Sequence, residues 1–278
     1  MEKKVWMITG ASRGLGREVA KAALARGDKV IATGRETQGL EDSENRDDWL
    51  GVQMDVTDEE QVASGVRQGL SRFGRIDVLV NNAGFGILGA IEETTAAEVE
   101  RVYRTNVFGL LNVVRAVLPA MRQQRSGHIV NFSSLGGYRA SAGWGGYCST
   151  KFAVEGITEA LYDELAPLGI HATVVEPGFF RTDFMDNRSL LKTNAQIADY
   201  SSTVGNTRIF AVERNHQQPG DPTKFARALL QLVSAADPPL RLPLGTDALE
   251  RITQKNEFVT RETERWSSLS ESTDFKKG

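Results

Sequence analysis

"TGASRGLG", residues 9–16, follows the apolar run "VWMITG" (5–10) and leads directly into a helix-compatible stretch from Leu15 to Arg26. A strand that ends in a glycine-rich turn and then opens a helix decides the fold class. Glycines let the chain turn tightly and bring its backbone close to a ligand, and the unpaired amides at the helix start favour an anion such as a pyrophosphate. Outward from this point the same alternation recurs. "KVIATG" (29–34), "VQMDV" (52–56), "IDVLVN" (76–81), "HIVNFSS" (128–134) and "HATVVEPG" (171–178) are further strand candidates, and "RLPLG" (241–245) adds a seventh. Their nearly unbroken apolar character suits strands covered on both faces. Helical periodicity falls between them, over Asp58 to Phe73, Ala96 to Arg122 and Tyr147 to Leu168. The rhythm predicts an α/β fold: one doubly wound parallel sheet flanked by helices, its strands ordered 3-2-1-4-5-6 and extended by the seventh.

Length and composition agree with one domain over residues 1–278. Of these residues 40% are hydrophobic and 25% charged, ordinary values for a globular chain. The acidic stretch "ETQGLEDSENRDD" (36–48) reads as a polar connection. Residues 178–221 are too long for a plain connection and read as a substrate-binding loop or insert. "PTKFARALLQLVSAA" (222–236) and "TDALERITQKNEFVTRETERW" (246–266) are helices, and the last residues from about 268 read as a frayed tail. A formal charge of −3 with scattered Lys and Arg gives no field that would gather phosphate backbones, so nucleic acid is not an expected partner. The single cysteine, Cys148, excludes an internal disulfide or a multi-cysteine metal site. No apolar stretch reaches membrane-spanning length and the N-terminal apolar run is too short for a secretory signal, which leads us to expect a soluble cytoplasmic protein.

Two further patterns carry chemistry. In "GGYCSTKFAVEG" (145–156), Tyr147 and Lys151 are four positions apart and so share one face of a helix. An ammonium near a phenol favours the phenolate, lowering a pKa that is ordinarily about 10. At the tip of the second strand, Gly34 is followed by Arg35. With Arg13 of the glycine loop, Arg35 would clamp the 2′-phosphate that only NADP carries; the competing reading has Glu36 holding the ribose of NAD.

Four motifs in this order, "TGASRGLG", "NNAG" (81–84), Ser134 in "IVNFSS", and Tyr147 with Lys151 followed by "PGFFRT" (177–182), resemble the classical short-chain dehydrogenase/reductase family over roughly residues 3–185. The resemblance implies a single Rossmann-type domain with a seven-stranded parallel sheet. It also implies roles. Tyr147 matches the general acid/base, Lys151 its activator and the holder of the nicotinamide ribose, Ser134 the partner of the substrate oxygen, and Asn106 in "YRTNVFG" the helix asparagine of a proton relay. Gly10, Ser12, Arg13, Gly14, Leu15 and Gly16 match the coenzyme cradle, Asp55 and Val56 the adenine contact, and Asn82, Ala83 and Gly84 the turn lining the adenosine ribose. Pro177, Gly178 and Thr182 match the segment beside the nicotinamide. The implied activity is hydride transfer between NADP(H) and a carbonyl or secondary alcohol, with no metal; the alternative is a catalytically silent NADP-binding regulator. Trp144, Phe179, Phe180, Phe184 and Met185 are expected to wall an apolar pocket edged by "RASAGWGG" (139–146), or else to be core. The pattern is nearest to the hydroxysteroid and retinol dehydrogenase-like branch. Relatives of this kind pair through the helices at Ala96–Arg122 and Tyr147–Leu168, so a homodimer or homotetramer is expected.

Overall fold

The computed structural model describes residues 3–36, 38–40 and 47–275. Strand β1 (Val5–Thr9) feeds helix α1 (Gly14–Ala25), and β2 (Lys29–Gly34) and β3 (Trp49–Gln53) precede α2 (Glu59–Phe73). After β4 (Val78–Asn81) and the short β5 (Gly86–Leu88) come α3 (Ala96–Tyr103) and α4 (Leu110–Gln124). Then follow β6 (Gly127–Phe132), the one-turn α5 (Leu135–Tyr138), α6 (Gly145–Leu165) and β7 (Ile170–Pro177). The chain closes with β8 (Leu190–Lys192), α7 (Asn206–Glu213), α8 (Pro222–Ser234), β9 (Arg241–Leu244) and α9 (Thr246–Glu271). Seven strands form one parallel sheet in the order β3-β2-β1-β4-β6-β7-β9, while β5 and β8 pair separately. With those two set aside, the order is the one the alternation predicts.

The apolar runs work because successive strand residues point to opposite faces, and both faces are covered. On one face Met7, Ile31, Leu79, Ile129 and Val174 pack with Val62 and Val66 of α2, Val113 and Val117 of α4 and Val154 of α6. On the other, Trp6, Ile8, Val30, Val80, Val130 and Val175 pack with Val19 and Ala23 of α1 and Phe225 and Leu229 of α8. Every strand therefore ends its apolar stretch at the same edge of the sheet. The loops that leave that edge build the site.

Three details differ from the sequence reading. The third strand runs three residues earlier than "VQMDV", because Val30 to Gly34 of β2 pair with Trp49 to Gln53. Asp55 lies beyond it in a turn, where its Oδ1 accepts from Thr57 N (2.9 Å) and Thr57 Oγ1 (2.8 Å). The stretch from Ala96 to Arg122 is broken by a π-turn over Arg104–Gly109, which separates α3 from α4. The last helix continues to Glu271, past the point where fraying was expected. Of the acidic stretch 36–48, residues 37 and 41–46 lie outside the described residues, as do 276–278 of the tail.

Candidate active site

The cradle is built first. Helix α1 begins at Gly14 with no side chain capping it and no acidic residue in its first turn, so its leading amides are left for a ligand. Gly10 has φ +65°, and a β-carbon there would lie 2.9 Å from Asn82 Nδ2 and 3.0 Å from Ala83 Cα. Gly16 is tighter still: its β-carbon would meet Asn82 Nδ2 at 2.4 Å and the Gly10 carbonyl at 2.6 Å. Asn82 locks this approach by donating through Nδ2 to the carbonyls of Thr9 and Gly10, both at 2.9 Å. Asn81 donates instead to Asn131 on the neighbouring strand, bracing the sheet. The uncapped helix start and the close backbone passage fit the pyrophosphate of a dinucleotide.

One cavity of about 660 Å³ runs from this cradle to the chemistry. Gly10, Ser12, Arg13, Gly14 and Leu15 line it at the loop; Arg35, Asp55 and Val56 line it beyond β2 and β3. Asn82, Ala83 and Gly84 after β4, and Pro177, Gly178 and Thr182 at and beyond the end of β7, line the same cavity. Arg35 is exposed, with its carbonyl accepting from Gln53 Nε2 at 3.0 Å, and Arg13 Nη2 donates to the Arg188 carbonyl at 3.2 Å. Two of the residues predicted for the site lie behind the wall. Gly16 is buried against Asn82, and Asn106 is 2% exposed. The Asn106 side chain donates to the Phe85 carbonyl and to Thr150 Oγ1, both at 3.0 Å, and accepts from Phe85 N at 3.1 Å. In this arrangement its carboxamide braces the π-turn and does not touch Lys151.

Ser134, Tyr147 and Lys151 meet in the middle of the cavity. Ser134 lies two residues past β6 and caps α5, its Oγ accepting from Gly136 N at 3.0 Å. Ser133, its neighbour, is 5% exposed and turns back to the Lys151 carbonyl at 3.4 Å. Tyr147 and Lys151 share the inner face of α6 as their spacing requires, and the ammonium is hydrogen-bonded to backbone. Lys151 Nζ donates to the Phe132 carbonyl at 2.7 Å and lies 5.8 Å from the centre of the Tyr147 ring. Burial pushes the Tyr147 phenol above its ordinary pKa, with a hydrogen bond from Ser134 opposing the rise and Cys148 adding to it. The net direction thus differs from the lowering expected from Lys151, because desolvation is the largest influence on the phenol. The same desolvation pulls Lys151 down to about 8, against the opposing charge of Glu155.

Aromatic side chains dominate the rest of the cavity, with polar and charged groups among them. Trp144, Phe179, Phe180, Phe184 and Met185 all line it. Tyr147 contacts Trp144 edge-on at 5.9 Å and Phe184 at 5.5 Å between ring centres. Phe180 also serves the core, packing on Phe225 at 5.0 Å. Residues 178–221 fold across this end as two 3-10 turns, β8, a π-turn and α7. They are anchored by Glu93, which accepts from Ile197 N at 2.8 Å and Arg208 Nη2 at 2.5 Å. Asn206, Thr207, Phe210, Gln218 and Arg251 reach the lining as well. None of these five carries a local sequence signal, because α7, the loop that holds Gln218 and α9 arrive through tertiary packing.

A phosphate cradle leading to a tyrosine, a lysine and a serine at the carboxyl edge of a doubly wound parallel sheet defines an oxidoreductase that works with a nicotinamide dinucleotide. The chain belongs to the short-chain dehydrogenase family, whose model matches residues 4–192. It is 39% identical over 270 residues to Oxidoreductase BOA17 of Botryotinia fuckeliana, covering 96% of this chain and 98% of that one. It is 38% identical over 245 residues to a 3-ketodihydrosphingosine reductase of Bacteroides thetaiotaomicron, covering 88% and 89%. A crystal structure of a short-chain dehydrogenase from Streptomyces avermitilis superposes with a TM-score of 0.93 at 42% identity, covering 99% of this chain and all of that one. These likenesses carry the family as a whole and do not single out its hydroxysteroid and retinol branch.

Proposed function

We propose that the protein is an NADP(H)-dependent oxidoreductase that interconverts a carbonyl and a secondary alcohol on a medium-sized, largely apolar substrate. The observation that carries this reading is the convergence of Ser134, Tyr147 and Lys151 on the one cavity that also holds the glycine cradle and Arg35. Bound coenzyme supplies the hydride. Tyr147, kept protonated by burial, is the acid that gives a proton to the substrate oxygen in the reducing direction. Ser134 donates to the same oxygen and fixes its position, which matters because a misplacement of about 1 Å can cost roughly a hundredfold in rate. Lys151 holds the nicotinamide ribose and carries the positive charge that favours the phenolate when an alcohol is oxidised. Asn106, through the π-turn it braces, is a positioning residue for the proton path. Asp55, Val56, Asn82, Ala83 and Gly84 hold the adenosine, and Pro177, Gly178 and Thr182 the nicotinamide.

NADP is favoured over NAD because Arg35 and Arg13 both line the cavity that holds the glycine cradle, and a guanidinium pairs well with a phosphate. A silent regulator would need the cradle and not the proton donor, so the intact Ser134–Tyr147–Lys151 set supports an enzyme. Among the described residues no helix is long and apolar enough to cross a membrane, and the one cysteine is free and buried, which suits a reducing, cytoplasmic setting. Phe108 and Phe152 are 52% and 45% exposed beside α4 and on α6, which supports pairing of two copies through those helices. Light scattering should give the mass of a dimer or tetramer; a monomer would remove that part. A panel of ketones, aldehydes and secondary alcohols run with both coenzymes tests the whole reading, with turnover of at least one carbonyl preferring NADPH as the expected result.

A further inference from the structure

Set among Trp144, Phe179, Phe184 and Phe210, the substrate end of the cavity also carries charged groups: the exposed Asp183 and Arg188 and the half-buried Arg251. Arg251 reaches the lining from the second turn of α9, and its Nη1 donates to Ser141 Oγ at 2.6 Å. Ser141 belongs to the loop that places Trp144, since Trp144 N donates to the Ser141 carbonyl at 3.1 Å, and Trp144 in turn lies against Tyr147. Arg251 is therefore linked, through Ser141 and Trp144, to the substrate side of the reacting phenol.

A guanidinium has five N–H donors, and Ser141 is a neutral acceptor for one of them. Among the described residues no carboxylate lies within ion-pair distance of Arg251. Asp247, one turn earlier on the same helix face, is instead turned to Phe179 N, which donates to its Oδ2 at 2.6 Å. Glu250 accepts from Gln254 Nε2 at 3.3 Å. Elsewhere the fold answers its embedded arginines with acids: Arg208 with Glu93, and Arg241 with both Glu155 and Glu176. A partly buried cation that lines a largely aromatic stretch of the cavity, with only a serine for a hydrogen-bond partner among the described residues, is arranged to receive its counter-charge from the ligand, where a planar carboxylate matches the fork.

We propose that Arg251, oriented by Ser141, is a specificity residue that pairs with a carboxylate on the substrate, so that the preferred substrates are amphipathic keto or hydroxy acids with an apolar body. This rests on the reading of the cavity as the substrate site of a carbonyl-reducing enzyme. It adds to that reading a charged end and a direction: the apolar body lies along Trp144, Phe184 and Phe210, and the acid reaches toward α9.

The test uses aryl ketones bearing a carboxylate on tethers of increasing length, each paired with its methyl ester, assayed with the wild type, Arg251→Met, Arg251→Lys and Ser141→Ala. With the wild type, one tether length should favour the acid over its ester by about tenfold or more in kcat/KM, the scale of a charge-assisted hydrogen bond. Arg251→Met should erase that preference through KM while leaving ester turnover and the KM for NADPH unchanged. Arg251→Lys should keep part of it, and Ser141→Ala should weaken it. Calorimetric titration of the same acids and esters gives a second readout, in which the tighter binding of the acid should vanish in Arg251→Met. If esters turn over as well as acids, or if the acid preference survives in Arg251→Met, the inference is overturned and the oxidoreductase reading stands. If Arg251→Met impairs acids and esters alike, Arg251 only ties α9 to the 139–146 loop and the inference is overturned. If nothing turns over, the oxidoreductase reading fails, and the titration alone upholds or overturns the carboxylate site. If Arg251→Met does not fold, Arg251→Lys and Ser141→Ala decide it by the same acid-to-ester ratio.

Discussion

The two ends of the cavity are made differently. The coenzyme end is built from backbone: the glycine turn after β1, the uncapped start of α1 and the ends of β2, β4 and β7, all fixed by the sheet. The substrate end is built from side chains on elements added around that sheet: Trp144 before α6, the turn at 183–185, α7 and α9. Backbone at strand ends can hardly vary without loss of the fold, whereas the second set can be exchanged while the sheet stays intact. The difference predicts that damage at the coenzyme end is felt with every substrate, and damage at the substrate end only with some.

Arg35→Ala gives the largest contrast. Loss of a charge-assisted contact to the 2′-phosphate should raise the KM for NADPH by about tenfold to a hundredfold, equivalent to roughly 1.5–3 kcal/mol, whichever carbonyl is reduced, while the KM for NADH is little affected. Equal effects on both coenzymes would remove Arg35 from the phosphate site. The pH dependence should follow Lys151, whose pKa burial lowers to about 8. The ammonium is present below that pH and lost above it. As kcat/KM reports ionisations of the free enzyme, its value for NADPH should be flat at neutral pH and fall by about tenfold per pH unit above 8. The phenol of Tyr147, held high by burial, should add no break in that range. A profile flat to pH 10 would separate Lys151 from coenzyme binding. The smallest effect is expected from Phe210→Ala. Phe210 is 39% exposed and meets Phe179 at 5.5 Å between ring centres, and its loss should raise the KM of bulky ketones by about fivefold, near 1 kcal/mol, with NADPH unaffected. A change in coenzyme binding there would blur the division between the two ends.

The same division explains what the sequence revealed. Strand runs such as "HATVVEPG" announce themselves because both faces of the sheet must be apolar, and "TGASRGLG" does so because only glycine fits where Gly10 and Gly16 pass Asn82. The spacing of Tyr147 and Lys151 placed both on one helix face, but it held no information on where the lysine's long chain would turn, and the Phe132 carbonyl claimed it. Likewise the π-turn at 104–109 keeps the apolar periodicity of a continuous helix and is set by the buried carboxamide of Asn106, whose partners are 21 and 44 residues away. Arg251 sits in "TDALERI" as one charge among several on a helix, and only the packing of α9 against the 139–146 loop brings it to the cavity.

The central claim, that one desolvated phenol delivers the proton at the junction of the two ends, is tested most directly by Tyr147→Phe with NADPH binding and carbonyl reduction followed on the same preparation. Binding should match the wild type while turnover falls by about 10²- to 10⁴-fold, the range of a lost general acid. Turnover at the wild-type rate in that variant would contradict it.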